Sequence, residues 1–309
     1  MFGKRRTERI KRGFKSGIMA LVVYAILICI VFLILYPLLV RLADMFKSFD
    51  DLVDKSVVFI PKKPTLERVK MAADGMKYWT SFTNTMLVCS MSALLQTIAC
   101  SMIGYGFART KVPFKRLLFG LVILTMLMPA PMLMPSFYVR FRFFDVLGIV
   151  KAIHGAPLNL LDSYGPFIIL SITGLGFRNG LYIYLVRQFF RNMPKELEES
   201  GRIDGAGFIR IFFQIMLPNA LPIMITVSLF SFSWQWTDQY FSSLFFKSNW
   251  VLSNALSLLT GYGHLRLDPV IINAVVSSGI ILVVLPVLIL YLFLQRFFIR
   301  GIERSGLTG

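Results

Sequence analysis

The sequence predicts an all-α integral membrane protein with six transmembrane helices, a core of five plus one N-terminal span. Of its 309 residues, 56% are hydrophobic and only 16% are charged, whereas a soluble domain carries about a quarter charged residues. The apolar residues are gathered in runs of roughly 18–25, the length that crosses about 30 Å of hydrocarbon. Positive charge is concentrated in short segments between alternate runs. A chain that crosses the bilayer several times accounts for all three observations.

The first apolar run follows a strongly basic tail, an arrangement that also begins secretory signal peptides. This run is too long for a typical signal core and lacks a small-x-small cleavage pattern, so we expect an uncleaved anchor. The six spans are predicted at about 17–40, 82–108, 116–138, 164–187, 219–241 and 271–295.

The net charge of +17 fits either a nucleic-acid surface or the charge bias of membrane topology. More than half of the 33 Lys and Arg residues lie in the two tails and in the connections after the second and fourth spans. The longest connection on the other side, about 41–80, is close to electroneutral. Because short cytoplasmic loops are rich in Lys and Arg, we expect a multi-pass membrane protein with both termini cytoplasmic. A nucleic-acid partner is not expected.

Composition divides the chain into three parts. Residues 1–80 comprise a basic cytoplasmic tail, the first span and a polar outer segment. Residues 81–300 form a block of five spans with short connections, and 301–309 form a second cytoplasmic tail. Within the block, residues 191–218 are predicted to be a cytoplasmic loop.

The sequence offers few ligands for a metal ion. Cys29, Cys89 and Cys100 all fall inside predicted spans, without metal-ligand spacing, and such thiols usually behave as small apolar side chains. His154 and His264 stand alone in predicted outer loops. We therefore expect no metal site.

The segment Lys195–Pro218 is too polar to cross the membrane. It carries seven charged side chains, and each would cost about 2.5–3.5 kcal/mol at the centre of the bilayer. Glu196, Glu198 and Glu199 lie where they favour the first turn of a helix, and Asp204 is placed to cap a second helix. The segment is therefore predicted to form two short helices with a bend between them on the cytoplasmic side.

The second of these helices carries an apolar face. Phe208, Ile209, Phe212 and Phe213 lie on adjacent ridges of a helical projection. We expect this face to pack under the transmembrane bundle, which leaves the acidic first helix for contact with another protein. An ordinary solvated acidic loop is the alternative interpretation of the segment.

A gapped pattern in this segment resembles a known family. Its members are Glu199, Ser200, Gly201, Gly205, Ile215, Leu217 and Pro218. Their spacing is similar to the EAA loop, EAA---G---------I-LP, of permease subunits in binding-protein-dependent ABC importers. Asp204 and Ala206 complete the common "DGA" form around Gly205, whereas Ser200 and Gly201 stand where the name of the loop has two alanines.

Flanking segments make the resemblance more specific. "YGFARTKVPFKRLLF", "LVRQFFRNMPKELEES" and "LQRFFIRGIERSGLTG" look like maltose-type sugar and oligosaccharide permeases, and the resemblance covers roughly 80–309. It implies that the loop is a coupling helix that inserts into a cleft of a cytoplasmic ATPase, with Glu199 facing basic residues. The residues it assigns to coupling are Glu196, Glu199, Ser200, Gly201, Asp204, Gly205, Ala206, Leu217 and Pro218.

The resemblance also implies partners. These are a second homologous permease, an ATPase dimer that uses ATP and Mg²⁺, an extracytoplasmic solute-binding protein, a sugar or oligosaccharide substrate, and membrane lipid. The chain contains no G-x-x-x-x-G-K-[ST] phosphate-binding loop. We therefore expect a transport subunit that binds no cofactor, has no catalytic residues, and depends on a separate ATPase.

Arg178 is the most unusual polar residue, because it lies about twelve residues into the predicted fourth span beside several glycines. Ionisable residues at such depth commonly serve function, and a glycine-rich break exposes backbone to a polar cavity. One hypothesis places Arg178 and Asn179 in the substrate pathway, bound to sugar hydroxyls or a uronate carboxylate. The alternative is that Arg178 pairs with a carboxylate such as Asp238, or with helix-end carbonyls, and only braces the bundle.

The fifth span contributes further pathway candidates in "SFSWQWTDQYF", namely Trp234, Trp236, Asp238 and Tyr240. Aromatic faces stack on sugar rings, and carboxylates bind hydroxyls. An i,i+4 spacing would put Trp236 and Tyr240 on one helix face. The alternative is an interfacial aromatic belt. The Met-rich "MLMPAPMLMP" is interpreted as adaptable packing around proline kinks.

Two other classes of protein were weighed. An ion-driven secondary transporter of a polar solute tends to show intramembrane acids and inverted repeats, whereas Asp238 is the one clear acid within a predicted span and no internal repeat is evident. A membrane-embedded enzyme would need a His/Asp cluster or a Ser-His pair in the membrane, and the sequence has neither.

Overall fold

A computed structural model describes residues 2–111, 113–248, 250–261 and 268–306. His264 and residues 307–309 lie outside these ranges. Over the described ranges the regular structure is helical, with one isolated bridge between Phe144 and Leu158. The α-helices are α1 (Phe2–Asp44), α2 (Phe49–Val53), α3 (Glu67–Gly75), α4 (Tyr78–Arg109), α5 (Lys115–Leu127), α6 (Ala130–Arg142), α7 (Ile149–His154), α8 (Gly165–Ile172), α9 (Asn179–Asn192), α10 (Glu196–Ile203), α11 (Phe208–Ile211), α12 (Leu217–Asn219), α13 (Leu221–Thr237), α14 (Tyr240–Phe245), α15 (Leu252–Thr260) and α16 (Pro269–Gly306).

The all-α membrane architecture is confirmed, but six continuous spans are not what the described residues show. Three helical stretches are long and apolar enough to cross a membrane: Gly17–Asp44, Tyr78–Arg109 and Pro269–Phe293. Two bent pairs, α5 with α6 and Phe208–Asn219 with α13, raise the number to as many as five. The predicted fourth span is divided between α8 and α9, and each of these is too short to cross alone.

The predicted third span bends by 104° between α5 and α6. Pro129 caps the start of α6, and Pro131 occupies its first turn. Proline donates no backbone hydrogen bond, so it ends a helix or begins one. The predicted kink is therefore present, and it is sharp enough to redirect the chain.

The predicted fourth span is interrupted by the expected glycine-rich break. Helix α8 ends at Ile172, and α9 begins only at Asn179. Gly174 has φ +73° and Arg178 has φ 64°, both in the left-handed region that continues no right-handed helix.

The predicted fifth span ends earlier than expected, at Thr237. The Asp238 carboxylate accepts hydrogen bonds from the backbone N–H groups of Phe241 (3.3 Å) and Ser242 (2.8 Å), so it serves the start of α14 instead of continuing α13. The prediction that Trp236 and Tyr240 share one helix face is therefore wrong, because a break in the helix separates them.

The chain divides into two compact units, and each is described separately. The first combines Met1–Ala73 with Leu259–Leu282. Within it, Nη1 of Arg41 donates to Oγ of Ser277 at 2.6 Å. The segment that follows α1 has contacts of its own, including the Lys63 N–H donating to the Asp51 carboxylate at 2.9 Å.

The second unit combines Asp74–Leu258 with Val283–Gly309 and holds the candidate site. Its main apolar cluster is formed by α4, α9 and the segment from Ile211 to Val227. Helix α4 approaches α9 closely at Gly104, where a Cβ atom would lie 2.8 Å from Cγ1 of Val186. This packing places the C-terminal turn of α4 against the chain that leads into α10.

Candidate functional site

The predicted coupling segment consists of α10, a sharp turn, α11 and a π-helical turn, Phe212–Met216. Glu196, Glu198 and Glu199 occupy the first turn of α10, where the helix dipole favours negative charge. Glu196 and Glu199 are exposed, and so is Ser200. The structure therefore presents the two glutamates that the sequence assigned to coupling at the surface of this chain.

Gly205 makes the turn after α10 possible. Its φ is +76°. The Ala206 N–H donates to the Gly201 carbonyl at 2.9 Å, and the Gly205 N–H donates to the Arg202 carbonyl at 3.0 Å. This pair of bonds is a Schellman motif, which closes a helix with glycine in the left-handed conformation. The "DGA" sequence is thus the C-terminal cap of α10.

Asp204 has a different position from the one predicted. It is the C-cap residue that ends α10, and the residue that precedes α11 is Gly207. No side chain caps α11. The prediction that Asp204 caps the second helix is therefore wrong, because the Schellman turn adds residues between the two helices.

Gly201 explains why the pattern also contains a distant isoleucine. It is buried, and a Cβ atom built on it would lie 2.7 Å from Cδ1 of Ile215 and 3.2 Å from Cγ1 of Ile211. Residues fourteen apart in sequence therefore pack face to face after the turn. A small residue is needed at position 201 for this contact.

Leu217 and Pro218, at the end of the pattern, follow the π-helical turn. Pro218 lies in the first turn of α12. Because proline cannot donate to the carbonyl one turn before it, a widened turn accommodates it. Nδ2 of Asn219 donates to the Ile215 carbonyl at 2.7 Å and satisfies one of the acceptors that remain.

Sequence analysis did not predict that one glutamate of this segment is buried. Glu198 lies between the two exposed glutamates, and its Oε1 is 3.2 Å from Nε of Arg109. A weaker contact, 3.4 Å, joins its Oε2 to Nη2 of Arg202. Arg109 also donates to the carbonyl of Met193, just before α10. The coupling segment is thus tied by two contacts to the last turn of α4.

The apolar face of the second helix is divided between core and surface. Tyr105 on α4 lies 5.1 Å from the Phe208 ring and 5.0 Å from the Phe212 ring, measured between centroids. Of the four apolar residues only Phe212 is buried, whereas Phe208 and Phe213 are each 48% exposed and Ile209 is 70% exposed. The prediction that all four pack under the bundle is therefore right for Phe212, right in part for Phe208, which contacts Tyr105, and wrong for Ile209.

Three of the six predicted pathway residues line a cavity of about 510 Å³ within the second unit. Its walls are the bend between α5 and α6, the break between α8 and α9, and the start of α14. The polar and aromatic residues among its walls are Thr125, Phe137, Phe177, Arg178, Asn179, Tyr240 and Phe241. The methionines and prolines of the bend, interpreted from sequence as packing, line the cavity directly.

Arg178 faces aromatic rings. Its guanidinium carbon lies 5.0 Å from the Trp234 ring centroid and 5.2 Å from that of Phe177. Asp238 does not pair with it, because that carboxylate is buried and bound to the backbone and the hydroxyl of Ser242. The pairing considered as an alternative from sequence is therefore wrong for Asp238.

Asn179 is the first residue of α9 and is 2% exposed. Neither Nδ2 nor Oδ1 of its amide has a hydrogen-bond partner among the described residues. Its backbone carbonyl accepts a bond from Sγ of Cys100 at 3.8 Å. Asn179 is thus a buried amide at the edge of the cavity with capacity to bind a further group.

The other pathway candidates have different surroundings. Trp236 is 2% exposed, and its indole N–H donates to the Val283 carbonyl at 3.0 Å. Trp234 is partly buried and stacks on Tyr182. Tyr240 is exposed and lines the cavity. Of the six residues nominated from sequence, the cavity wall includes Arg178, Asn179 and Tyr240, and a pathway role for any of the six stays a prediction.

Within the described ranges, no three side chains of His, Cys, Asp or Glu converge as metal ligands.

Comparisons with known proteins agree with this geometry. The family model described as "binding-protein-dependent transport system inner membrane component" matches residues 100–304. A probable ABC transporter permease of Pyrococcus horikoshii is 30% identical over 71% of each chain. An arabinooligosaccharides transport system permease of Halalkalibacterium halodurans is 26% identical over 91% of this chain and 93% of its own.

The fold is also similar to that of a solved structure. It matches one chain of a bacterial ABC transporter involved in the import of the acidic polysaccharide alginate, with a TM-score of 0.71. The match covers 92% of this chain and 98% of the other, at 18% identity.

Proposed function

The chain belongs to the family of binding-protein-dependent transport system inner membrane components, and we propose that it is one of two membrane subunits of a bacterial importer for a sugar or oligosaccharide. As a permease it is a transport component and not an enzyme. Its partners are a second, related permease, a cytoplasmic ATPase dimer that hydrolyses ATP with Mg²⁺, and an extracytoplasmic solute-binding protein. The oligosaccharide permease among its relatives supports the substrate class.

One observation carries the coupling role. Helix α10 exposes Glu196, Glu199 and Ile203 on one face, with Ile203 85% exposed, while Glu198 on another face is buried against α4. One face of the same short helix is therefore free to contact another protein, and the other is fixed to a transmembrane helix. This arrangement suits a segment that transmits a displacement from the ATPase to the transmembrane helices.

The proposed mechanism joins this segment to the cavity. ATP-driven closure of the ATPase dimer moves the coupling segments of the two permeases together, and the bundle changes from inward-facing to outward-facing. The binding protein delivers the sugar at the outer side. The sugar then passes through the cavity lined by Arg178, Asn179 and Tyr240, where it contacts polar groups and the face of an aromatic ring. We also propose three further pathway residues, Trp234, Trp236 and Asp238.

The coupling role is tested by Glu199→Lys in the reconstituted complex, assayed for ATP-dependent uptake of an oligosaccharide. We expect normal insertion and loss of coupled uptake, because a positive charge then faces the basic surface expected on the ATPase. Glu67→Lys reverses an exposed charge far from the segment in sequence and serves as the control. Normal uptake by Glu199→Lys, with the ATPase still bound, would argue against the docking role.

The proposed orientation has both termini in the cytoplasm. It is tested with a maleimide that does not cross membranes, in a Cys29→Ser background. Lys111→Cys, between α4 and α5, should react only in inside-out vesicles. Ser56→Cys, in the outer segment, should react only in intact cells. The reverse pattern would overturn the orientation.

A further inference from the structure

The cavity contains a cation that no acid of its own wall neutralises. Arg178 is exposed to the cavity, and the residues that line the cavity include no Asp or Glu. No ion pair of Arg178 occurs within the part of the chain that the structure describes. The rings of Phe177 and Trp234 contact its guanidinium, but ring faces offset only part of a full charge. Such a cation in a membrane-spanning bundle favours an anionic ligand.

The same place is the N-terminus of a helix. Helix α9 has 14 residues, its N-cap is Arg178, and no side chain caps it. The N–H groups of Asn179 and Leu181 already donate to the carbonyls of Gly176 (3.1 Å) and Arg178 (3.0 Å), but the helix dipole still leaves roughly half a positive charge at this end. The dipole and the guanidinium therefore both favour one negative group.

Asn179 supplies an independent observation. Its amide is 2% exposed, lies at the cavity wall, and has no partner on either polar atom among the described residues. Buried amides in native proteins are nearly always hydrogen-bonded. An amide that donates through Nδ2 at this position complements an oxygen-rich ligand beside the guanidinium.

The backbone holds these groups in place. A Cβ atom on Gly180 would lie 2.6 Å from Oγ1 of Thr125, so α9 is pressed against the end of α5. A Cβ atom on Gly176 would lie 3.2 Å from Nδ2 of Asn179 and would displace the amide. Arg178 itself adopts φ 64°, an unfavourable conformation for a non-glycine residue. Unfavourable backbone kept by close packing is frequent at ligand sites.

From these features we infer that the α9 N-terminus, Arg178 and Asn179 form a carboxylate-binding subsite, and that the transported sugar carries a uronic acid. The guanidinium is suited to a bidentate pair with the carboxylate. The exposed ring of Tyr240 lines the same cavity and is available to the apolar face of the sugar ring. This inference rests on the proposed function, since it names the substrate class of that pathway.

The experiment measures binding to the complete permease–ATPase complex in nanodiscs, without the binding protein. The probes are trigalacturonate and its trimethyl ester, which share rings and linkages and differ in charge. We expect the wild-type complex to bind the acid about tenfold or more tightly than the ester, the effect of a charge-assisted hydrogen bond.

Variants assign this preference to the subsite. Arg178→Gln should abolish the preference for the acid, and Arg178→Lys should retain part of it. Both variants keep a non-glycine residue on the same left-handed backbone, so backbone strain does not distinguish them. Arg142→Gln is the matched control, since Arg142 also lies over aromatic rings, of Tyr138 and Phe143, but does not line the cavity. The control should keep the wild-type preference.

Three results would overturn the subsite: no measurable binding of the acid, equal binding of acid and ester by the wild type, or an undiminished preference in Arg178→Gln. In those cases an acid of the partner permease is the better candidate for neutralising Arg178. Separately, ATP-driven uptake of a neutral oligosaccharide would leave the proposed function standing while the acid preference fails. Absence of ATP-driven uptake for every oligosaccharide offered would count against the proposed function itself.

Discussion

Nε of Arg109, in the last turn of α4, lies 3.2 Å from Oε1 of Glu198 in the first turn of α10, and both side chains are 7% exposed. This buried ion pair joins a transmembrane helix to the proposed coupling segment, beside the contacts of Tyr105 with Phe208 and Phe212. A pair of long charged side chains holds a fixed geometry only when both are enclosed, so the link is suited to transmit displacement.

The first prediction concerns the loss of this pair. Arg109→Gln leaves the buried Glu198 carboxylate with only its weaker contact to the exposed Arg202, and Glu198→Gln removes the ion-pair partner of the buried Arg109. Breaking a buried ion pair in this way costs about 3–5 kcal/mol. We expect each variant to lower the thermal midpoint of the reconstituted complex and to reduce coupled uptake. The double variant should cost less than the sum of the singles.

The control for that experiment is Arg202→Gln. Arg202 also contacts Glu198, at 3.4 Å, but its own side chain is 62% exposed. Exposed ion pairs contribute about 1 kcal/mol or less, so Arg202→Gln should change the midpoint little. An equal loss for Arg202→Gln and Arg109→Gln would contradict the assigned role of the buried pair.

The second prediction concerns the turn at Gly205. Nothing lies within 4 Å of a Cβ atom built there, so its φ of +76° is the only obstacle to a side chain. Gly205→Ala should cost about 1–2 kcal/mol through the left-handed backbone alone. Gly205→Asn should cost less, because asparagine tolerates this conformation.

Gly207 is the matched control, since it also has open space around it but has φ −70°. Gly207→Ala should leave the thermal midpoint and coupled uptake nearly unchanged. If both alanine variants behaved alike, the Schellman turn would not be what requires glycine in the pattern.

The third prediction concerns the contact of Gly201 with Ile215. Gly201→Ala places a methyl group 2.7 Å from Cδ1 of Ile215, and overpacking of this kind costs about 1–3 kcal/mol. Ile215→Val removes that Cδ1 atom and alone costs about 0.5–1.5 kcal/mol. The double variant should be more stable than the sum of the two changes predicts. Additive effects on the thermal midpoint would show that the two residues are not in contact.

The fourth prediction separates the two tryptophans nominated from sequence. Trp236→Phe removes the donor to the Val283 carbonyl, so we expect a loss of about 1 kcal/mol in stability with an unchanged KM for uptake. Trp234→Leu removes the ring over which Arg178 lies and should raise KM, because the guanidinium loses its support. A change in KM for Trp236→Phe alone would reverse this assignment.

The fold class was predictable because burial in a bilayer requires long apolar runs, and runs of that length are visible in composition. The helix breaks were also visible, since Pro129 and Gly174 act locally on their own backbone. The angle of the bend between α5 and α6, 104°, was not predictable from the sequence, because it depends on what packs against each of the two helices.

The proposed coupling segment also has some features that the sequence predicted and others that only helix packing decides. The resemblance of its pattern to the EAA loop identified Glu199, Gly205 and Pro218. The sequence did not predict that Glu198 is buried while Glu199 is exposed. Adjacent residues on a helix point about 100° apart, and only the position of Arg109 decides which one is buried. No feature of the local sequence marks Glu198 as the paired glutamate.

The sequence by itself determined that this chain is a helical membrane permease with an exposed acidic segment, since hydrophobic run length, loop charge and gapped motif spacing are all local properties. The tertiary structure alone decided which charges meet: Glu198 meets Arg109, Asp238 meets its own following helix, and Arg178 faces a cavity without a carboxylate. Contacts between residues far apart in the chain depend on helix packing in three dimensions, and helix packing follows from side-chain shape over the whole bundle.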